Sequence, residues 1–262
     1  MEFLLVYLLA GAVAGVLAGL LGVGGGIVIV PALVFAFQAQ GFLEHLLVHM
    51  AVGTSLATIV LTSISSVRAH HRRGAVQWPL FWRLTPSIVV GSLLEAVIAD
   101  WLPADVLRTV FAVFVLIVSA QMGFGAKPSP HRDLLKTFGM AAAGMVIGSI
   151  SAIVGIGGGS LTVPFLVWCN TAMRTAVAVS AACGLPIALA GSVGFLVTSL
   201  NETGLPEWSS GYLYWPAGAG IAVASVLFAP LGAHLAHQIS AARLKRVFAL
   251  FLAIVGLRLL IT

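Results

Sequence analysis

Apolar residues follow one another along this chain in long stretches, broken by glycine, proline or a small group of charges. The stretches cover roughly 3–22, 27–43, 46–67, 79–101, 104–124, 134–154, 160–170, 174–200, 212–235 and 241–261. Most are close to twenty residues, the length at which an α-helix crosses the ~30 Å hydrocarbon layer of a bilayer, and far longer than strands usually run. The pattern predicts an all-α polytopic bundle with about eight to ten membrane segments. Two stretches, 27–43 and 160–170, are short and follow directly on runs of glycine, so they read as second arms of glycine-interrupted hairpins.

Those glycine runs are copies of one another. Gly22-Val23-Gly24-Gly25-Gly26-Ile27-Val28-Ile29-Val30-Pro31 recurs as Gly155-Ile156-Gly157-Gly158-Gly159-Ser160-Leu161-Thr162-Val163-Pro164, with six identities in ten positions at an offset of 133. Ala51 to Ser55 aligns with Ala176 to Ser180 at an offset of 125. Trp78-Pro79 and Val110-Phe111-Ala112 align with Trp215-Pro216 and Val247-Phe248-Ala249 at 137. The chain therefore reads as two repeats, 1–126 and 134–262, joined by a polar linker at 127–133 on the cytoplasmic side.

Composition narrows the function classes. The chain is 60% hydrophobic and 8% charged, against about 25% charged in a soluble domain, which excludes a water-soluble enzyme and a disordered chain. A net charge of +5 could suggest nucleic acid, but the basic residues are few and are not interleaved with aromatics, so no nucleic-acid partner is expected. Their placement reports orientation instead. Arg68, Arg72, Arg73, Arg83, Lys127, Arg132, Lys136, Arg174, Arg243, Lys245 and Arg246 fall on one side if basic loops are cytoplasmic, with Arg108 and Arg258 elsewhere. The loop before Trp78 is then inside and its counterpart before Trp215 outside. That requires five crossings per repeat and makes the repeats inverted, with both termini outside. The N-terminal stretch lacks a basic leader region and reads as the first membrane segment. Cys169 and Cys183 suit small buried hydrophobes.

The chemistry on offer is mostly main chain. Three successive glycines cost about 1 kcal/mol each in helix propensity relative to alanine, so each block breaks its helix. The arm that follows starts with N–H groups that lack intrahelical partners, and a helix N-terminus carries about half a positive charge. Gly24, Gly25, Gly26, Gly157, Gly158 and Gly159 are therefore candidate donors to a small anion held between the halves, the arrangement expected of carriers with broken helices. The alternative for such glycines is close helix packing. Thr54, Ser55, Ser160 and Ser180 could add hydroxyl donors, although Ser and Thr in lipid also bond their own helix. Glu95 is the one acid well inside an apolar stretch and a candidate for proton coupling. It lies near Asp100 and the outer interface, which favours a snorkelling, hydrated carboxylate. His45/His49 and His234/His237 have helical spacing but no completing ligands, so neither a metal site nor a cofactor is expected. An intramembrane hydrolase is the rival from another class, but a carboxylate dyad would need two acids in the bundle where only Glu95 is available. A membrane scaffold would leave the paired breaks without a role.

These residues resemble the TauE/SafE family of sulfite exporters and related permeases. The resemblance covers essentially the whole chain and rests on both glycine blocks with their prolines, on Val52-Gly53-Thr54-Ser55-Leu56, and on His71-Arg72-Arg73-Gly74. It implies a multi-pass carrier of the bacterial inner membrane that exports a small sulfur-containing or organic anion such as sulfite or a sulfonate. The second half departs from the pattern at Ala176 to Ser180, where Gly-Thr-Ser is missing and Ser160 could compensate. The partners implied are the small anion, the bilayer and a coupling proton or cation, with homo-oligomerisation left open. Export of an anion would follow the inside-negative potential at roughly 2.3 kcal/mol per charge per 100 mV.

Overall fold

A computed structural model describes residues 2–21, 25–123, 134, 136–235 and 241–261. Within them lie ten α-helices: α1 (Glu2–Leu21), α2 (Gly26–Ala39), α3 (Glu44–Arg72), α4 (Trp78–Trp101), α5 (Ala104–Gly123), α6 (Thr137–Ile153), α7 (Gly159–Trp168), α8 (Met173–Thr198), α9 (Trp215–Leu235) and α10 (Ala241–Ile261). The all-α bundle expected from the sequence is present. Each helix matches an apolar stretch to within a few residues, because the glycine, proline and charged clusters that end a stretch also end a helix. The linker 127–133 lies outside the described residues. α3, α4, α5 and α8 are long and apolar enough to cross a membrane. At 1.5 Å per residue, the 14 residues of α2 and the 10 of α7 reach only ~21 and ~15 Å, too short to span the hydrocarbon layer alone.

One feature was not foreseen. Between α8 and α9 the chain makes a short 3-10 turn (Ser199–Asn201) and a two-stranded antiparallel hairpin, β1 (Ser209–Ser210) with β2 (Leu213–Tyr214), in which Ser209 pairs with Tyr214. The apolar stretch from 212 thus opens as a strand, and its helix starts at Trp215.

Small residues decide how the long helices meet. α1 lies along α9, with the Ser225 hydroxyl donating to the Gly11 carbonyl at 2.9 Å. α4 lies along α6 through a reciprocal lock, in which Ser92 donates to the Gly148 carbonyl (3.2 Å) and Ser149 to the Gly91 carbonyl (3.0 Å). Both pairs run parallel, since Tyr7 meets Gly220 and Gly15 meets Ser225, while Leu84 meets Gly144 and Ile88 meets Gly148. α3 with α8 and α5 with α10 run antiparallel: Leu56 meets Gly191 and Ser63 meets Gly184, while Leu116 meets Gly256 and Gly123 meets Ala249. Shifting each helix label by five exchanges the α1/α9 contact with the α6/α4 contact and the α3/α9 contact with the α8/α4 contact.

Phe37, Phe111, Phe195, Ile27 and Ile29 are fully buried. The outer surface is apolar too, with Leu93, Leu94, Val97, Ile117, Leu250 and Ile254 all exposed, as a lipid-facing bundle requires. Packing this close tolerates little added volume. A Cβ at Gly91 would strike the Met145 carbonyl, whereas one at Gly123 finds only the Ala249 methyl at 3.6 Å. Gly91→Ala is expected to cost about 1–3 kcal/mol by overpacking and Gly123→Ala almost nothing, measured as thermal unfolding in detergent micelles.

Candidate anion site at the glycine turns

The second glycine block is a tight reversal between α6 and α7. α6 ends in a Schellman motif: Gly155, with φ at +68°, sends its N–H to the Ala152 carbonyl, and Ile156 reaches back to the Ser151 carbonyl. Gly158, with φ at +73°, then caps α7. A side chain would be strained at either position, which explains why this turn is written in glycine. The Gly158 carbonyl accepts from Leu161 (3.1 Å) and Thr162 (2.8 Å), leaving the N–H groups of Gly159 and Ser160 without an acceptor among the described residues.

Two hydroxyls converge on this helix start. Thr162 Oγ1 and Ser151 Oγ lie 3.3 and 3.6 Å from where a Cβ on Gly158 would sit. Both residues are fully buried and neither hydroxyl has a partner. The hydroxyl of Ser160 is also enclosed and unpartnered. A buried polar group without a hydrogen bond costs about 1–3 kcal/mol, so a cluster of them beside free amides marks a candidate ligand site. The amides can only donate, while each hydroxyl can donate or accept.

The first block contributes by contact. Gly25 caps α2 and its carbonyl accepts from Val28 and Ile29, both at 3.0 Å, while Gly26 lies against the Gly155 carbonyl and the Ile156 backbone. Gly24 falls outside the described residues. Gly157 sits between Ile59 of α3 and Gly184 of α8. Thus Gly26 and the 155–158 turn meet at the centre, flanked by α3 and α8.

The other hydroxyls divide. Ser55 donates to the Gly155 carbonyl at 2.8 Å, fixing the turn from α3. Thr54 accepts from the Tyr214 N–H at 3.0 Å, which ties the hairpin to α3 beside a cavity of about 120 Å³. Ser180 is fully buried in α8 without a partner. Ser151 and Thr162 were missed from the sequence, although each stands four residues from a glycine of the turn.

Glu95 corrects an expectation. Rather than snorkelling, it is 3% exposed, and neither carboxylate oxygen has a partner. Its turn of α4 faces inward, so closeness to the helix end does not expose it. It lines a cavity of about 500 Å³ together with residues of α5 and α6.

At the far end of α4 the hairpin is held by polar contacts. The Tyr212 hydroxyl lies 3.3 Å from Glu202 and 3.5 Å from Asp100, and its ring stacks on His49 at 5.1 Å. Burial, then the two carboxylates, push its ionisation above the ordinary tyrosine range, so it stays a neutral donor. His49 faces the His45 and Ala99 carbonyls with its two ring nitrogens, at 3.2 and 3.0 Å. His45 lies 3.7 Å from Glu202.

Proteins similar to this chain are named as membrane transporters. A protein of Haemophilus influenzae named "Probable membrane transporter protein" is 36% identical over 258 residues, covering 98% of each chain. Similarly named proteins of Methanocaldococcus jannaschii and Bacillus subtilis are 27% and 25% identical, over 99% of this chain and 97% and 98% of their own. No solved structure matches. The family described as "Sulfite exporter TauE/SafE" matches residues 7–259. With ten helices, several of spanning length, and a family match along nearly its whole length, the chain is a multi-pass membrane protein that belongs to the TauE/SafE family of membrane transporters.

Proposed function

We propose that this protein is a secondary carrier that exports a small sulfur-containing or organic anion, such as sulfite or a sulfonate, across the bacterial inner membrane. The observation that carries the reading is the cluster at the start of α7, where the buried, unpartnered hydroxyls of Ser151 and Thr162 stand beside the amides of Gly159 and Ser160, which have no acceptor among the described residues. No lysine or arginine is required there. A trigonal or tetrahedral oxyanion offers several acceptor atoms in a small volume, which suits convergent single donors.

Alternating access follows from treating the halves as inverted repeats. Parallel α1/α9 and α4/α6 contacts with antiparallel α3/α8 and α5/α10 contacts are what a two-fold axis in the membrane plane produces when successive helices alternate in direction. Rocking one half against the other then opens the central turns first to one side and then to the other. The protein is read as a carrier and not an enzyme.

Reconstitution tests this directly. Purified protein in liposomes, offered labelled sulfite, sulfate and a panel of small sulfonates, is expected to give saturable flux of at least one of them. Absence of flux for the entire panel defeats the reading.

A further inference from the structure

We propose that Glu95 is a proton site coupled to the anion cradle, so that the anion crosses together with one proton; this rests on the carrier reading above. The observation is a partition one helix thick. On one side of the C-terminal half of α6, Ser149, Ile150 and Ile153, with Val154 just past the helix end, line the cavity of about 500 Å³ that holds Glu95. Toward the other, Ser151 of the same helix turns its hydroxyl to Gly158 and the start of α7. The carboxyl is buried, unpaired and without a hydrogen bond, in a cavity whose other polar lining comes from Thr109 and Ser149.

Among the described residues no other charge pairs with it. Among the groups on the surrounding helices, Asp100 of α4 is met by the Tyr212 hydroxyl, and Arg108 of α5 pairs with the exposed Asp105 at 3.1 Å. α6 contributes no titratable residue, α8 contributes Arg174 and Cys183, and α3 brings Glu44, His45 and His49 near this end, with His49 held on the Ala99 carbonyl. None of them bonds Glu95. A carboxylate here and an anion in the cradle would face each other across about 10 Å of helix. At an effective dielectric of about 20, like charges at that distance disfavour each other roughly fifteen-fold. Anion binding therefore favours the neutral acid, and by linkage a proton on Glu95 favours the anion. When the cradle empties, the O–H bond breaks heterolytically. The electron pair stays on the carboxylate, and the proton passes to a water molecule.

The test uses full-length protein in liposomes with labelled sulfite, comparing wild type and Glu95→Gln at each pH so that the titration of sulfite is common to both. In wild type, an imposed pH gradient is expected to drive net flux. Glu95→Gln mimics the protonated state and should retain sulfite–sulfite exchange while its net flux no longer follows the pH gradient. Its equilibrium accumulation should depend on membrane potential by one additional charge, about fifty-fold per 100 mV. Asp105→Asn should behave as wild type. Equal responses to the pH gradient in wild type and Glu95→Gln, or loss of exchange along with net flux, overturn the coupling while leaving the carrier reading in place. Absence of all flux in wild type overturns both.

Should Glu95→Gln not reach the membrane, dicyclohexylcarbodiimide decides on the wild type. The acid adds across one C=N bond and the acyl group then migrates to nitrogen, so one reagent mass is gained and nothing leaves. A single adduct on Glu95 with loss of net flux supports the proposal, and an unmodified Glu95 overturns it.

Discussion

Alanine at Gly26 is expected to destabilise the protein by about 3 kcal/mol and to abolish transport. The added methyl would point at the Gly155 carbonyl, close to the Ile156 backbone, so no side-chain rotation relieves the clash and the start of α2 must part from the 155–158 turn. Parting them also stretches the bond from Ser55 that holds the Gly155 carbonyl. Gly25→Ala is the matched comparison. There a Cβ meets the Ala14 methyl at 3.2 Å and the flexible tip of Ile29 at 3.3 Å, and the cost should stay below about 1 kcal/mol. Thermal unfolding in micelles and flux in liposomes measure both effects. Similar midpoints for the two variants would show that the turns are not tightly joined.

The second large effect separates stability from function. Removing the hydroxyls with Ser151→Ala and Thr162→Val is expected to leave the unfolding midpoint unchanged or higher, because each hydroxyl is buried without a partner and its burial costs about 1–3 kcal/mol. Transport should move the other way. A hydrogen bond to a charged ligand contributes about 1.5–3 kcal/mol, so each substitution should lower flux at limiting anion concentration roughly ten- to hundredfold, and the double variant by more. Initial rates over a range of sulfite concentrations, with melting curves on the same preparations, check both halves. A destabilised double variant with normal kinetics would place these hydroxyls in packing rather than in the anion path.

What could be read from the sequence follows from which forces are local. Helix positions were legible because lipid imposes one requirement, about twenty apolar residues, and the interruptions are glycines, prolines and charges whose effects act on neighbouring residues. The glycine block was legible as a break because its penalty is intrinsic to the backbone. The hairpin at 209–214 was not, since Ser-Ser and Leu-Tyr carry no period and its register depends on a partner strand and on Thr54, 160 residues away. Glu95 shows a different gap. Counting along α4 gives its depth, but only the packing of α5 and α6 determines whether it turns toward water or into the bundle. Ser151 and Thr162 stand on either side of a turn, and nothing in their own helices distinguishes them from other small hydroxyl residues in lipid. They become a cluster only once Gly155 and Gly158 adopt left-handed backbone.

The hairpin has a thermodynamic consequence. Two interchangeable halves would give a carrier whose inward- and outward-open states are related by a two-fold rotation and therefore equal in energy, with no preferred resting side. The chain from Ser199 to Tyr214 joins α8 to α9, whereas only 73–77 join α3 to α4. It ties Tyr214 to Thr54, and Tyr212 to Glu202 and Asp100, on one face alone. For the carrier proposed above, that insertion would lift the degeneracy: the state that keeps these bonds would be the ground state, and the cycle an excursion from it rather than a symmetric flip.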